Sequence, residues 1–303
     1  MSRPDSILGI DWGTSNRRAY LVDGHGTLID SRADDQGILE ARADFGSSLA
    51  ALLADMGVTA DVPVLASGMI GSAQGWRETP YLATAVPLED LPRHLVRMDD
   101  AGAGRACLLV PGYRAEDDAG RIDVMRGEEM QLLGAVALGR RDGWFVLPGT
   151  HSKWVRLEDG VIRQCSTFMT GEWFATLGKL GTLAPLMDGD DDEGAFAAGV
   201  EEARQRAVLT HALFGVRARA VTGAMPAAQV RSFVSGLLIG AEVVAALDLV
   251  GPVRGAVATI AAPRLHGYYA AAAAHLGIAL QPMDPDAVYR AALGVFLDRI
   301  APS

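Results

Sequence analysis

Short apolar runs alternate with helical apolar stripes along the whole chain. ILGID (7–11), a polar turn, RRAYLVD (17–23), the turn signal DGHG and then TLIDSR predict an antiparallel meander of three strands. DFGSSLAALLADM (44–56) has an apolar stripe and stops at Gly57, which predicts a helix. VPVLASG (62–68) predicts a short buried strand that enters the glycine loop GMIGSAQGW, and CLLVPG (107–112) predicts another strand. EEMQLLGAVALG (128–139) predicts a helix, and WFVLPGTHSKWVRLEDGVI (144–162) reads as strand, turn, strand, acidic turn, strand. Beyond it, the pattern predicts helices over 172–180, 195–214, 226–250, 266–277 and 286–301, with strands at VATIA (257–261) and IALQP (278–282). Strands alternating with helices predict an α/β fold.

Composition narrows the picture. A chain of 303 residues, half of them hydrophobic, has room for two domains. We divide it into residues 1–140 and 141–285, with the closing helix of about 286–303 packing back on the first domain. A formal charge of −10 and no basic stripe argue against nucleic acid as a partner. Cys107 and Cys165 have no metal-ligand spacing and fit the reduced thiols of a cytoplasmic protein. No apolar leader opens the chain. The most apolar stretch, near 233–262, is interrupted by Glu242, Asp248 and Arg254, which predicts no membrane span. A homodimer is left open.

The chemistry begins in two turns of one pattern. In ILGIDWGTSNRRAYLVD and in WFVLPGTHSKWVRLEDGVI an apolar strand meets Gly-Thr, then polar residues and a cation, then a second apolar strand. Glycine permits positive φ and close approach of a ligand, and successive turn N–H groups form an anion-binding concavity. Gly13, Thr14, Ser15 and Asn16 would hold phosphate at the first turn. Gly149, Thr150 and His151 would do so at the second, with Arg17 or Lys153 adding charge. Asp11, at a strand end, can hold Mg²⁺ directly or through water. Two such turns facing each other across a cleft would grip ATP from both sides. The other phosphate devices, such as GxxxxGK[ST] and GxGxxG, are absent from the sequence.

These strings resemble the sugar kinase, Hsp70 and actin superfamily, and in particular the 2-dehydro-3-deoxygalactonokinase family. The resemblance rests on IDWGTSNRRAYL, ASGMIGSAQGWRETPYL, VMRGEEMQLLGA, VLPGTHSKWV, FMTGE and VSGLLIGAEV, which occur in that family's order over residues 7 to about 245. It implies two ribonuclease H-like (actin-like ATPase) domains with nucleotide and substrate in a cleft between them. It also implies transfer of the γ-phosphoryl group of ATP, with Mg²⁺, to the 6-hydroxyl of 2-dehydro-3-deoxy-D-galactonate. One departure concerns the adenosine motif, where a strand is usually followed by a glycine pair. Here VATIA runs into Ala262 and Pro263, and alanine fits only if φ stays negative.

The resemblance places an acid at the start of an interdomain helix as the base, which makes Glu128 the candidate, with Glu129 and Glu172 as alternatives. A sugar-acid substrate calls for a cation on its carboxylate. Arg126 is the first choice, with Arg17 and Lys153 as competitors. Gly68, Met69, Ile70, Gly71 and Ser72 offer donors from the glycine loop, and Trp76 could wall the pocket. Trp12 and Trp154 read as packing. His25, His94, His211, His266 and His275 are scattered without ligand spacing, and the acidic run DGDDDEG reads as a solvated loop. Three rivals share the fold: a kinase for another sugar acid such as 2-dehydro-3-deoxygluconate, a non-catalytic nucleotide-binding regulator, and an ATPase activator holding an iron–sulfur cluster. Regulators of this kind carry a helix-turn-helix before the first strand, for which the six residues ahead of Ile7 leave no room. Two cysteines 58 positions apart argue against the cluster.

Overall fold

The structure is a computed structural model that describes residues 5–99, 101, 105–206, 208–251 and 255–300. The chain forms two compact units: Met1–Asp142, Leu157–Cys165 and Pro285–Ser303 make unit 1, and Gly143–Arg156 with Ser166–Asp284 make unit 2.

In unit 1, β1 (Ser6–Trp12), β2 (Arg17–Asp23) and β3 (Leu28–Asp34) form an antiparallel meander. Helices α1 (Ile38–Ala41) and α2 (Phe45–Asp55) follow, and Asp44 caps α2 by accepting the Ser47 N–H. Strand β4 (Val64–Gly68) runs parallel to β1 and sets Ser67 beside Asp11 and Gly68 beside Trp12. Next come β5 (Tyr81–Ala83), β6 (Val96–Met98), β7 (Cys107–Leu109), β8 (Gly112–Glu116), β9 (Ile122–Met125) and α3 (Glu128–Ala137). The main sheet has the order β3-β2-β1-β4-β7-β6, and β5, β8 and β9 form a separate three-stranded sheet. Those three strands are too short for an alternation pattern to reveal. The closing helix α9 (Pro285–Arg299) lies on α3 and β1. Two glycines allow this: a Cβ on Gly134 would run into the Val288 carbonyl, and one on Gly9 would run into Leu293.

A second sheet is formed by β10 (Gly143–Leu147), β11 (Ser152–Glu158), β12 (Val161–Phe168), β13 (Val257–Ile260) and β14 (Leu280–Met283), of which Leu157–Cys165 is counted with unit 1 and the rest with unit 2. Their order is β12-β11-β10-β13-β14, with β13 parallel to both β10 and β14. This matches the meander-then-parallel order of β3-β2-β1-β4-β7, as expected of ribonuclease H-like domains. The helices are α4 (Thr170–Leu177), α5 (Glu193–Arg204), α6 (Leu209–Val221), α7 (Ala227–Val250) and α8 (Pro263–His275). The single helix predicted over 195–214 is two, and Arg206 between them has φ 60°. Helix α7 corrects another expectation. It is long and apolar enough to cross a membrane, but 61% of that stretch is buried in the protein. Gly236 and Gly240 bring its backbone against Phe196 and Val200 of α5, so α7 is the core helix of unit 2.

Candidate active site

The end of β1 and the start of α3 bring three carboxyl groups of unit 1 together. Asp11 is half-buried, and no hydrogen bond reaches its carboxylate among the described residues. Desolvation pushes its pKa up to about 6, with Arg18 opposing and Glu128 adding to the rise. Glu128, in the first turn of α3, accepts the Arg126 N–H at 3.0 Å. Glu129 is fully buried and takes the Gly127 N–H on both oxygens, at 2.8 and 2.7 Å. Burial, then the neighbouring Glu128, pushes its carboxyl to about 8. The helix start reaches this place because two glycines meet there. Gly127 has φ 108° and Gly68 has φ 86°, and a Cβ on Gly127 would lie 3.3 Å from the Gly68 Cα. Glycine alone fits both the φ and the approach.

Around this cluster, Ser67 shares a 2.8 Å hydrogen bond with the Tyr289 hydroxyl of α9. Met69–Gly71 form one 3₁₀ turn, whose end is fixed by the Ser72 N–H and hydroxyl, both donating to the Met69 carbonyl, at 3.0 and 2.7 Å. Arg126 leans over Tyr81 at 4.3 Å and directs both terminal nitrogens to Thr79, leaving its buried Nε without a partner. The turn Gly13–Asn16 closes through Gly13 N–H to Asn16 O at 2.9 Å and is braced from α1 by Ile38 N–H to Gly13 O at 2.9 Å. Thr14, Ser15 and Asn16 are exposed.

In unit 2 the corresponding turn sits against the start of α4. The Glu172 N–H donates to Thr150 O at 2.9 Å, and the Glu172 carboxylate meets His151 Nε2 at 2.6 Å. Gly171 packs on the Gly149 carbonyl so closely that a Cβ there would collide with it, whereas a Cβ on Gly149 would meet nothing within 4 Å. Beneath lies the buried Glu242 of α7, which accepts from Ser152 Oγ at 2.6 Å, Trp154 Nε1 at 2.9 Å and Tyr269 OH at 2.7 Å. Burial raises its pKa against the pull of these donors.

A cavity of about 310 Å³ opens from this turn. Gly149 and Gly171 are among its lining residues, as are Phe174, Leu238, Ile239 and Leu265. Ala262 also lines it, at φ −58°, with Pro263 opening α8 behind it. The backbone here needs no glycine, so the alanine pair that replaces the expected glycines causes no strain.

Several expectations are corrected. Arg17 is not free for a ligand. It is buried, makes a bidentate pair with Asp34 at 3.2 and 2.6 Å, and lies over Trp12. Lys153 is buried and donates to Thr167 Oγ1 at 2.8 Å. Trp76 stacks on Phe45 at 5.6 Å as part of the core wall. The acidic run is not a plain solvated loop: Asp192 caps α5, and Asp191 lines the cavity and pairs with Arg231 and Arg264. Asp191, Arg231, Arg264 and Tyr268 were missed because they come from three separate segments with no common motif.

The 2-keto-3-deoxy-galactonokinase family profile matches residues 11–295. A protein of Rhizobium meliloti (strain 1021), named a probable 2-dehydro-3-deoxygalactonokinase, is 35% identical over 309 residues, covering 100% of both chains. The 2-dehydro-3-deoxygalactonokinase of Escherichia coli (strain K12) is 35% identical over 94% of this chain and 95% of its own. A crystal structure of a provisionally named 2-dehydro-3-deoxygalactonokinase from Sinorhizobium meliloti superposes with TM-score 0.88 at 34% identity, over 96% of this chain and 97% of the other.

Proposed function

The chain belongs to the 2-keto-3-deoxy-galactonokinase family, and we propose that it transfers the γ-phosphoryl group of ATP to the 6-hydroxyl of 2-dehydro-3-deoxy-D-galactonate. It is a carbohydrate kinase. The observation that carries the residue assignment is that the end of β1 with Asp11 and the start of α3 with Glu128 both close on Gly68.

Glu128 is the base. It accepts the proton of the 6-hydroxyl on a carboxylate oxygen as the hydroxyl oxygen attacks the γ-phosphorus and the bond from that phosphorus to the bridging oxygen breaks, releasing ADP. Glu129 is unsuited to this, since it is fully buried and both its oxygens face Gly127. Glu172 lies in unit 2 and is engaged with His151. Arg126 holds the substrate carboxylate, with its unpartnered Nε as the waiting donor. Gly68, Met69, Gly71 and Ser72 shape the sugar's resting place beside it.

Gly13, Thr14, Ser15 and Asn16, and Gly149, Thr150 and His151, hold phosphate groups through turn N–H groups and hydroxyls. The cavity beside Gly149 takes the base and ribose.

Mg²⁺ fits Asp11. A desolvated carboxylate that no hydrogen-bond donor reaches suits a hard cation, and Mg²⁺ is commonly held by one or two carboxylates together with substrate phosphates. No group of three acids or histidines able to cage a metal occurs among the described residues, so Asp11 would hold the ion with the phosphates themselves. When bound, the ion neutralises charge on the triphosphate. Cys107 and Cys165 form no disulfide, which supports a cytoplasmic location, and light scattering will distinguish monomer from homodimer.

The test is ADP release with 2-dehydro-3-deoxy-D-galactonate and with its C4 epimer, 2-dehydro-3-deoxygluconate. A clear preference for the first is expected. Equal rates overturn the narrow substrate, and no ADP from either overturns the kinase.

A further inference from the structure

The cavity of unit 2 contains polar side chains, and apart from Ser235 they are engaged with one another or with groups behind the wall. Asp191 accepts from Arg231 at 3.0 Å and from Arg264 at 2.9 Å, and a hydrogen bond from Tyr268 is the largest of the effects that hold its carboxyl below the usual range. Ser232 donates to the Asp190 carbonyl at 3.3 Å and accepts the Asp192 N–H at 2.9 Å. The Tyr269 hydroxyl is bound to Glu242 at 2.7 Å, and Thr170 also bonds Glu242. Among the described residues no asparagine or glutamine lines the cavity, so no amide fork is there to read the edge of a base.

Flat faces are plentiful in the same place. Arg231 lies 5.5 Å from the Phe174 ring and Arg264 lies 5.9 Å from the Tyr268 ring, and all four side chains line the cavity. Guanidinium planes and aromatic rings bind an aromatic base by stacking, whatever the pattern on its edge. Asp191 ties the two arginines together and keeps their planes in place.

We infer that this kinase selects its phosphoryl donor by the faces of the purine ring and not by its edge, so that adenine and 6-oxopurine nucleoside triphosphates both serve. The inference rests on the reading that this cavity takes the nucleotide base. The energetic reason is that only a site with hydrogen-bonding groups committed to one base rejects the other strongly, because those groups are then left buried without partners. A site of stacked faces incurs no such loss.

The experiment is steady-state kinetics of the full chain with ATP, GTP and ITP, repeated for Arg264→Ala, Arg264→Lys and Asp191→Asn, with melting curves on every variant. Expected are kcat/KM values for GTP and ITP within about tenfold of that for ATP. Arg264→Ala should raise KM for all three by about tenfold, with KM for the sugar acid unchanged. Arg264→Lys keeps the charge but loses the plane and should not rescue. Rejection of GTP and ITP by a hundredfold or more, with the Arg264 effect on ATP intact, overturns the inference and leaves the cavity as the base site. An unchanged KM for every nucleotide in folded Arg264 and Asp191 variants overturns the base-site reading itself.

Discussion

Each unit places a carboxylate behind a glycine-threonine turn, and the two are treated in opposite ways. Glu242 in unit 2 is surrounded by donors from Ser152, Trp154 and Tyr269 and acts as a strut that ties β11, α7 and α8 together. Asp11 in unit 1 receives no hydrogen bond among the described residues, and desolvation outweighs the pull of Arg18, with Glu128 adding to the rise of its pKa. Donors around a buried acid offset part of the cost of its charge, while an acid that receives none holds unfavourable energy that a cation or a proton relieves. On the proposed function, the contrast goes with charge chemistry in unit 1 and shape in unit 2.

The cations of the two turns behave alike, and against expectation. Arg17 and Lys153 both turn inward, to Asp34 and to Thr167. The proposed phosphate contacts at these turns therefore rest on backbone N–H groups and hydroxyls.

The largest effect that would break the contrast lies in unit 1. Glu128→Gln should lower kcat by about 10² or more and leave KM for ATP unchanged. If Glu172→Gln gives the greater loss, the chemistry sits in unit 2. Asp11→Asn should likewise abolish most turnover, and it should raise Tm near pH 7. The sign follows from the shift: the folded protein holds the Asp11 proton up to about pH 6, above the usual 3.8, so ionisation of this residue removes stability as pH rises between those values. The gain in Tm should accordingly vanish near pH 4, and a lowered Tm at pH 7 would refute the uncompensated acid.

In the wild-type chain, kcat/KM should fall about tenfold per pH unit below about 6, as Asp11 takes up its proton. A profile flat down to pH 5 breaks this link.

In unit 2 the glycines sharpen the comparison. Gly171→Ala forces the α4 start away from Gly149 and should raise KM for ATP about tenfold with a stability loss of about 1–3 kcal/mol. Gly149→Ala meets open space and should leave Tm unchanged. Equal stability losses at the two would mean that the turn is not packed as described. The smallest effect on turnover is expected from Arg17→Met, which should cost about 2 kcal/mol in denaturant unfolding with kcat within twofold, because its partner Asp34 is left unpaired.

Local patterns carry far in this chain. Alternation and turn signals place the meander 6–34, the strand 64–68 and the helix after Arg126 close to where they lie. The string PGTHSKW marks its turn, because phosphate-binding turns are contiguous in sequence. The same holds for Asp11 and Glu128, each set by the end of its own element. What the chain could not declare are partnerships over distance. Arg17 finds Asp34 and Ser48, and Asp191 finds Arg231 and Arg264, 40 and 73 positions away. A charged side chain looks the same in sequence whether it faces a ligand or a buried counter-ion, and only packing decides between them. The sequence by itself determined the family, the α/β order and the two turns, since these depend on neighbours along the chain. Tertiary structure decided which cations are structural, which acid receives no hydrogen bond and which arginines line the cavity of unit 2, since desolvation and ion pairing depend on neighbours in space.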